Sequence, residues 1–132
     1  MKLVVYADGA SRGNPGPAAI GVSVVDSEGR ELASLSRQLG VATNNQAEYT
    51  AAIEGVRLAA RLGAQSVELR VDSELLARQL EGRYRVKDAK LRPLYDELMR
   101  ELGRFREWRV SHVRREENRR ADALANLAFE RS

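Results

Sequence analysis

The chain has 132 residues, with 22 Lys and Arg against 19 Asp and Glu, one histidine and no cysteine. That length fits a single domain, residues 1 to 132, and is enough to bury a real hydrophobic core. Without thiols and with a lone imidazole, a disulfide framework and a structural zinc site of the usual ligand types are excluded, so any bound metal must be held by oxygen.

In chain order, residues 2 to 8 form a continuous apolar run that reads as a buried strand ending at Asp8, followed by a Gly/Asn/Pro-rich turn from Gly9 to Pro17. A hairpin follows, Ala18 to Asp26 and Arg30 to Leu39 flanking Ser27-Glu28-Gly29, where Gly29 supplies the positive φ of a short loop. Between Thr43 and Leu62 the period changes: Tyr49, Ala52, Ile53, Val56 and Ala60 share one helical face, and Thr43 with Gln46 makes a capping-box pattern. Gly63 ends that helix. Val67, Leu69 and Val71 alternate as a strand closing at Asp72, after which Ser73 caps a helix from about Glu74 to Leu80. Leu91, Leu94, Tyr95, Leu98 and Leu102 mark another amphipathic helix, Trp108, Val110 and His112 a last strand, and Ala121, Leu124, Ala125 and Ala128 a last helix.

The order is therefore βββαβααβα. Three leading strands without crossover helices imply an antiparallel half, and later strands preceded by helices imply parallel pairing, giving an α/β fold with a five-stranded mixed sheet flanked by helices. The opening apolar run is too short for a signal peptide, and nothing approaches the ~20 apolar residues that span a bilayer; a cytoplasmic monomer without a membrane partner is expected.

Charge is unevenly spread. Residues 1 to 99 carry 13 basic and 13 acidic groups, whereas residues 100 to 120 carry 8 against 4. Arg83, Arg85, Lys87, Lys90 and Arg92 face only Asp88 within residues 82 to 92. Two basic stretches on an otherwise balanced chain fit either a polyanionic partner or a solvated Arg-rich surface.

Four carboxylates stand at structural joints: Asp8 and Asp72 at the C-terminal ends of strands, Glu48 in the first turns of a helix, and Asp122 at the start of the last helix. Each alone has a plainer reading, as a turn former, a partner for a helix dipole or half of a capping pair. Together they differ, because acids gathered at one sheet edge repel one another unless cations join them. Two hard divalent ions would balance the four charges, and such a pair suits phosphodiester hydrolysis.

The runs Tyr6-Ala7-Asp8-Gly9-Ala10-Ser11-Arg12-Gly13-Asn14-Pro15-Gly16-Pro17, Thr43-Asn44-Asn45-Gln46-Ala47-Glu48, Val71-Asp72-Ser73 and Asn118-Arg119-Arg120-Ala121-Asp122-Ala123-Leu124-Ala125 resemble, in order, the type 1 ribonuclease H family. The resemblance extends from about residue 2 to residue 129. It implies the ribonuclease H-like fold, cleavage of the RNA strand of RNA/DNA hybrids leaving 5′-phosphate and 3′-hydroxyl ends, and two Mg²⁺ ions, with Mn²⁺ as a substitute, on Asp8, Glu48, Asp72 and Asp122. It places His112 beside the fourth carboxylate as a proton-transfer or product-release group. It implies nucleic-acid contact through Ser11, Asn14, Thr43, Asn44, Asn45 and Asn118, whose neutral groups suit a 2′-hydroxyl.

Two departures from the family pattern bear on substrate. Gly82 to Lys90 is too short for the extra helix and basic protrusion of well-known members, leaving Arg85 and Lys87 as a reduced basic contact beside Tyr84. Glu74 adds a negative charge where several relatives carry an amide, at a position near the nucleic acid. Weaker selectivity for hybrids follows, so double-stranded RNA is an alternative substrate. A binding module without turnover is the alternative from another class, and retention of all four acids opposes it.

Overall fold

The computed structural model describes residues 1–131. Its elements run β1 (Lys2–Ser11), β2 (Gly16–Val25), β3 (Glu31–Ala42), α1 (Asn44–Arg61), β4 (Ser66–Val71), α2 (Glu74–Leu80), α3 (Arg92–Leu102), β5 (Glu107–His112) and α4 (Arg119–Glu130), with one 3₁₀ turn at Arg115–Glu117. The five strands form one sheet in the order β3-β2-β1-β4-β5. β1, β2 and β3 pair antiparallel, while β4 lies parallel to β1 and β5 parallel to β4, so the sheet is mixed as the element order predicts.

β1 sits at the centre. Its Leu3, Val5 and Ala7 are buried on one face, against Tyr49, Ile53 and Val56 of α1 and against Ile20, Val22 and Val24 of β2. Side chains alternate along a strand, so Gly21 of β2 points to the other face. There α4 covers it so closely that a Cβ on Gly21 would lie 2.1 Å from the Ala121 carbonyl oxygen and 2.5 Å from the Ala125 nitrogen. The sheet thus lies between α1 and α4, and α3 packs outside α1 through Arg57, whose guanidinium donates to Glu101 at 2.6 Å and Glu97 at 3.0 Å.

The capping box at α1 is formed as its sequence implies. The Gln46 N–H donates to Thr43 Oγ1 at 3.1 Å, and the Thr43 N–H donates to Gln46 Oε1 at 2.8 Å, which satisfies two helix-start donors and fixes where α1 begins. Leu62 caps the other end, and Gly63 follows it at φ +94°.

β3 runs Glu31–Ala42, three residues past the expected end at Leu39, and two further joints differ. β1 does not stop at Asp8: the antiparallel ladder with β2 continues to Ser11 opposite Ala18, and only residues 12 to 15 turn. The parallel ladder with β4, by contrast, ends at Ala7 opposite Val71. Asp8 therefore marks the end of one ladder and the middle of another, a distinction that an apolar run followed by glycine does not reveal. The second change is the 3₁₀ turn ahead of α4, which carries the chain from the end of β5 inward before the last helix starts.

Candidate metal and nucleic-acid site

Four elements deliver acids to one cavity. Asp8 is the first β1 residue beyond the β4 ladder, Asp72 is the first residue after β4, and Glu48 is in the first turns of α1, buried beside them. Carboxylate oxygens of Asp8, Glu48 and Asp72 lie within 4.8 Å of one another. Asp122, from the first turn of α4, closes the same cavity of about 280 Å³, which is also lined by Gly9, Ala10, Asn44 and Arg115.

Gly9 is what lets α1 come this near. A Cβ there would lie 2.2 Å from the Ala47 carbonyl carbon and oxygen and 2.5 Å from the Glu48 nitrogen. In that space the Gly9 N–H donates to Glu48 Oε1 at 2.6 Å, fixing one carboxylate oxygen against the β1 backbone.

The electrostatics are those of crowded anions. Burial, then the charge of Asp72 and the nearness of Asp122, push the Asp8 carboxyl up to about 7. Glu48 is pushed well above the usual carboxylate range by burial and by Asp8, against the opposing Gly9 N–H, and Asp72 is raised chiefly by burial. Groups so placed hold protons unless a cation takes their place. An all-oxygen set of acids that is partly desolvated and close enough to share an ion matches hard divalent cations such as Mg²⁺ or Mn²⁺ and offers nothing to a soft metal.

Arg115 opposes this crowding, although nothing in its Arg-rich run singles it out. The 3₁₀ turn places its guanidinium 3.7 Å from Asp122, and its charge lowers both Asp8 and Asp72. It acts as the cavity's own counter-ion. Arg115→Gln should therefore bind Mg²⁺ more tightly, by about two- to fivefold for so exposed a charge, when titrated calorimetrically. Unchanged or weaker uptake would show that the guanidinium does not compete for the acids.

The other sequence candidates fall into separate groups. Asn44 lines the cavity, and its neighbours interlock: the Ser11 N–H donates to Asn44 Oδ1 at 3.2 Å, and the Asn44 N–H donates to Asn14 Oδ1 at 3.1 Å. Ser11 turns its hydroxyl to the carbonyls of Gly13, Gly16 and, at 2.8 Å, Ala42, Thr43 is engaged in its capping box, and Asn45 is exposed. Glu74 is exposed in the first turn of α2, 3.8 Å from Arg78, and does not line the cavity. His112 is exposed at the end of β5, opposite Val71 in the ladder and so next in line to Asp72, without lining the cavity. Arg85 and Lys87 line a different cavity, of about 520 Å³.

Asn118 is a correction. Expected to touch nucleic acid, it is 0% exposed, its Nδ2 donating to the Ala7 carbonyl at 3.0 Å. It lies close enough to Asp72 to lower that carboxyl, and its backbone carbonyl accepts from the Asp122 N–H at 3.1 Å. A side chain buried this way cannot reach a substrate; it ties the residue that starts α4 to the backbone just before Asp8. Its Oδ1 has no partner among the described residues.

Comparison with known proteins gives consistent results. A family model described as "Reverse transcriptase-like" matches residues 6–128. The chain is 46% identical over 129 residues to the "Ribonuclease HI" of Halobacterium salinarum, covering 98% of this chain and 65% of that protein. It thus spans less than two thirds of that relative's length. The crystal structure of RNase H1 from Halobacterium salinarum NRC-1 superposes with a TM-score of 0.97 at 44% identity, covering 100% of both chains. LC11-RNase H1, solved in complex with RNA/DNA hybrid, superposes with a TM-score of 0.92 at 38% identity over 97% of this chain and 96% of that one.

Proposed function

Because the chain belongs to the type 1 ribonuclease H family, we propose that it is an endoribonuclease that hydrolyses the RNA strand of RNA/DNA hybrids, leaving 5′-phosphate and 3′-hydroxyl ends. The observation that carries this reading is the meeting of Asp8, Glu48, Asp72 and Asp122 in one cavity, where burial and mutual repulsion leave them short of cations. Its substrate class is supported by LC11-RNase H1, which was solved with a hybrid.

Two Mg²⁺ ions, or Mn²⁺ in their place, would be held by these four acids and would supply activation of the attacking water and neutralisation of charge on the phosphodiester. The protein's own groups do the rest. The Gly9 N–H aims one Glu48 oxygen, and the Asn118 amide ties the start of α4, which carries Asp122, to the Ala7 carbonyl beside Asp8, so these joints are held before any ion arrives. Asn44 lines the cavity and is bonded to Ser11 and Asn14; Ser11, Asn14, Thr43, Asn44 and Asn45 are assigned to nucleic-acid contact, because amide and backbone groups donate to and accept from 2′-hydroxyls without adding charge near the acids.

His112 is assigned proton transfer to the leaving oxygen or help with product release, because an imidazole can both give and take a proton and its strand ends level with β4. His112→Ala should lower kcat by about a hundredfold while leaving Mg²⁺-dependent hybrid binding largely intact. Undiminished turnover would remove the imidazole from the mechanism.

The activity is tested by incubating the protein with labelled RNA/DNA hybrid, duplex RNA and duplex DNA, each with Mg²⁺, Mn²⁺ or EDTA. Metal-dependent cleavage of the hybrid alone supports the proposal. Cleavage of duplex RNA as well would extend the substrate range to RNA-containing duplexes generally, and binding without cleavage would make the chain a nucleic-acid module.

A further inference from the structure

Immediately after Glu48, α1 carries Tyr49, which is 1% exposed. Its hydroxyl donates to Gln79 Oε1 of α2 at 2.5 Å, and Gln79 is itself 4% exposed. The remaining half of the Gln79 amide is Nε2, which donates to the Arg85 carbonyl at 3.3 Å. The direction of this relay follows from chemistry. A phenol has one proton to give, and where Gln79 accepts it with oxygen the amide has only nitrogen to offer onward.

The far end of the relay is the basic loop. Residues 83 and 84 are tied to α2 by bonds to the Arg78 carbonyl, and residues 88 to 92 by turns around Asp88. Between them, no other hydrogen bond reaches the backbone of residues 85 to 87 among the described residues, and Val86 packs partly against the core. This stretch borders the cavity of about 520 Å³ lined by Arg85, Lys87, Arg92, Tyr84, Tyr95 and Gln79, with no carboxylate on its wall.

We infer that Gln79 is a positioning residue: it fixes the backbone of residues 85 to 87, and with it the Arg85 and Lys87 cations, in a set place relative to the helix that carries Glu48. A phosphodiester strand running past the acidic cavity meets cations already in place rather than ordering a free loop as it binds, which lowers the entropic cost of association. The role in substrate binding rests on the nuclease reading above; the positioning itself does not.

Gln79→Met alone strands the buried Tyr49 hydroxyl, so the variant to compare is Tyr49→Phe/Gln79→Met, which removes both ends of the bond and keeps the volume. Backbone ¹⁵N relaxation of the substrate-free protein should show order parameters at residues 85 to 87 falling from about 0.85 to below about 0.6, with α1 unchanged. In steady-state cleavage of labelled hybrid with Mg²⁺, KM should rise about tenfold with kcat within about twofold, and the slope of log kcat/KM against log salt should flatten by about one to two units, as two phosphate contacts are lost. Unchanged order parameters would overturn the positioning role. So would a kcat that falls together with the melting temperature while KM holds, which is the mark of a core residue only. A wild-type protein that leaves the hybrid uncut would overturn the nuclease reading instead, and relaxation would still decide the role of Gln79.

Discussion

Asp8→Asn is expected to abolish metal-dependent cleavage while making the metal-free protein more stable above neutral pH. The first effect follows from losing a ligand and a charge at the centre of the acid cluster; about 4 kcal/mol or more of transition-state stabilisation corresponds to at least about a thousandfold in kcat. The second effect follows from linkage. The Asp8 carboxyl is raised from 3.8 to about 7 in the folded protein, so the native state binds the proton more tightly than the unfolded chain does. Stability is thus highest below the unfolded value and falls as pH rises toward the folded one, by an amount on the order of 4 kcal/mol at most. Above pH 7 the metal-free wild type carries this penalty in full, and the neutral amide does not. Even half of it should raise the melting temperature of Asp8→Asn by about 5 °C or more at pH 8 in EDTA. Added Mg²⁺ should stabilise the wild type more than the variant. A variant that cuts RNA, or melts below the wild type in EDTA at pH 8, would contradict the placement of Asp8 among repelling acids.

Gly9→Ala should be the most damaging change outside the acids. Its methyl would meet Ala47 carbonyl atoms at 2.2 Å and the Glu48 nitrogen at 2.5 Å, all of them backbone, so no rotamer change relieves the overlap. β1 or the first turn of α1 must move, which costs about 1–3 kcal/mol or more for overpacking. The same shift breaks the 2.6 Å bond from the Gly9 N–H to Glu48 Oε1, and bonds to charged groups are worth about 1.5–3 kcal/mol. A fall of about 10 °C in melting temperature, with kcat down about a hundredfold or more, is expected by circular dichroism and by hybrid cleavage. Wild-type melting with wild-type turnover would show that α1 does not need this approach to place Glu48.

Much of this arrangement was legible in the residues themselves. Periodicity alone separated strands from helices, because the core-facing positions of β1, β4, α1 and α3 are strongly apolar and the caps at Thr43 and Ser73 are explicit. The acids were legible because each stands where an apolar pattern changes. What escaped were features set by three-dimensional closure. Nothing in Glu-Glu-Asn-Arg-Arg announces that its asparagine is wholly buried; Asn118 goes inside because a 3₁₀ turn sets it against β1 where the ladder with β4 ends, and there its amide donates to the Ala7 carbonyl. Arg115 was hidden for the same reason, as one arginine among several until that turn sets it against Asp122. β1 extended beyond its apolar run because pairing with β2, rather than hydrophobicity, decides where it ends. Gln79 looked like an ordinary polar residue of a short helix, and only the Tyr49 hydroxyl facing it gives it a task.

Metal uptake coupled to proton release tests the central claim most directly. Carboxyls that hold protons near neutral pH for want of cations must give them up when cations arrive. Calorimetric titration with Mg²⁺ at pH 6.5, in the presence of a hybrid that resists cleavage and in two buffers of different ionisation enthalpy, should give two ions per chain and heats that differ between the buffers by about one proton released. The difference should fade by about pH 9, where Asp8 is already ionised. Absence of uptake, or uptake with identical heats in both buffers at pH 6.5, would contradict it.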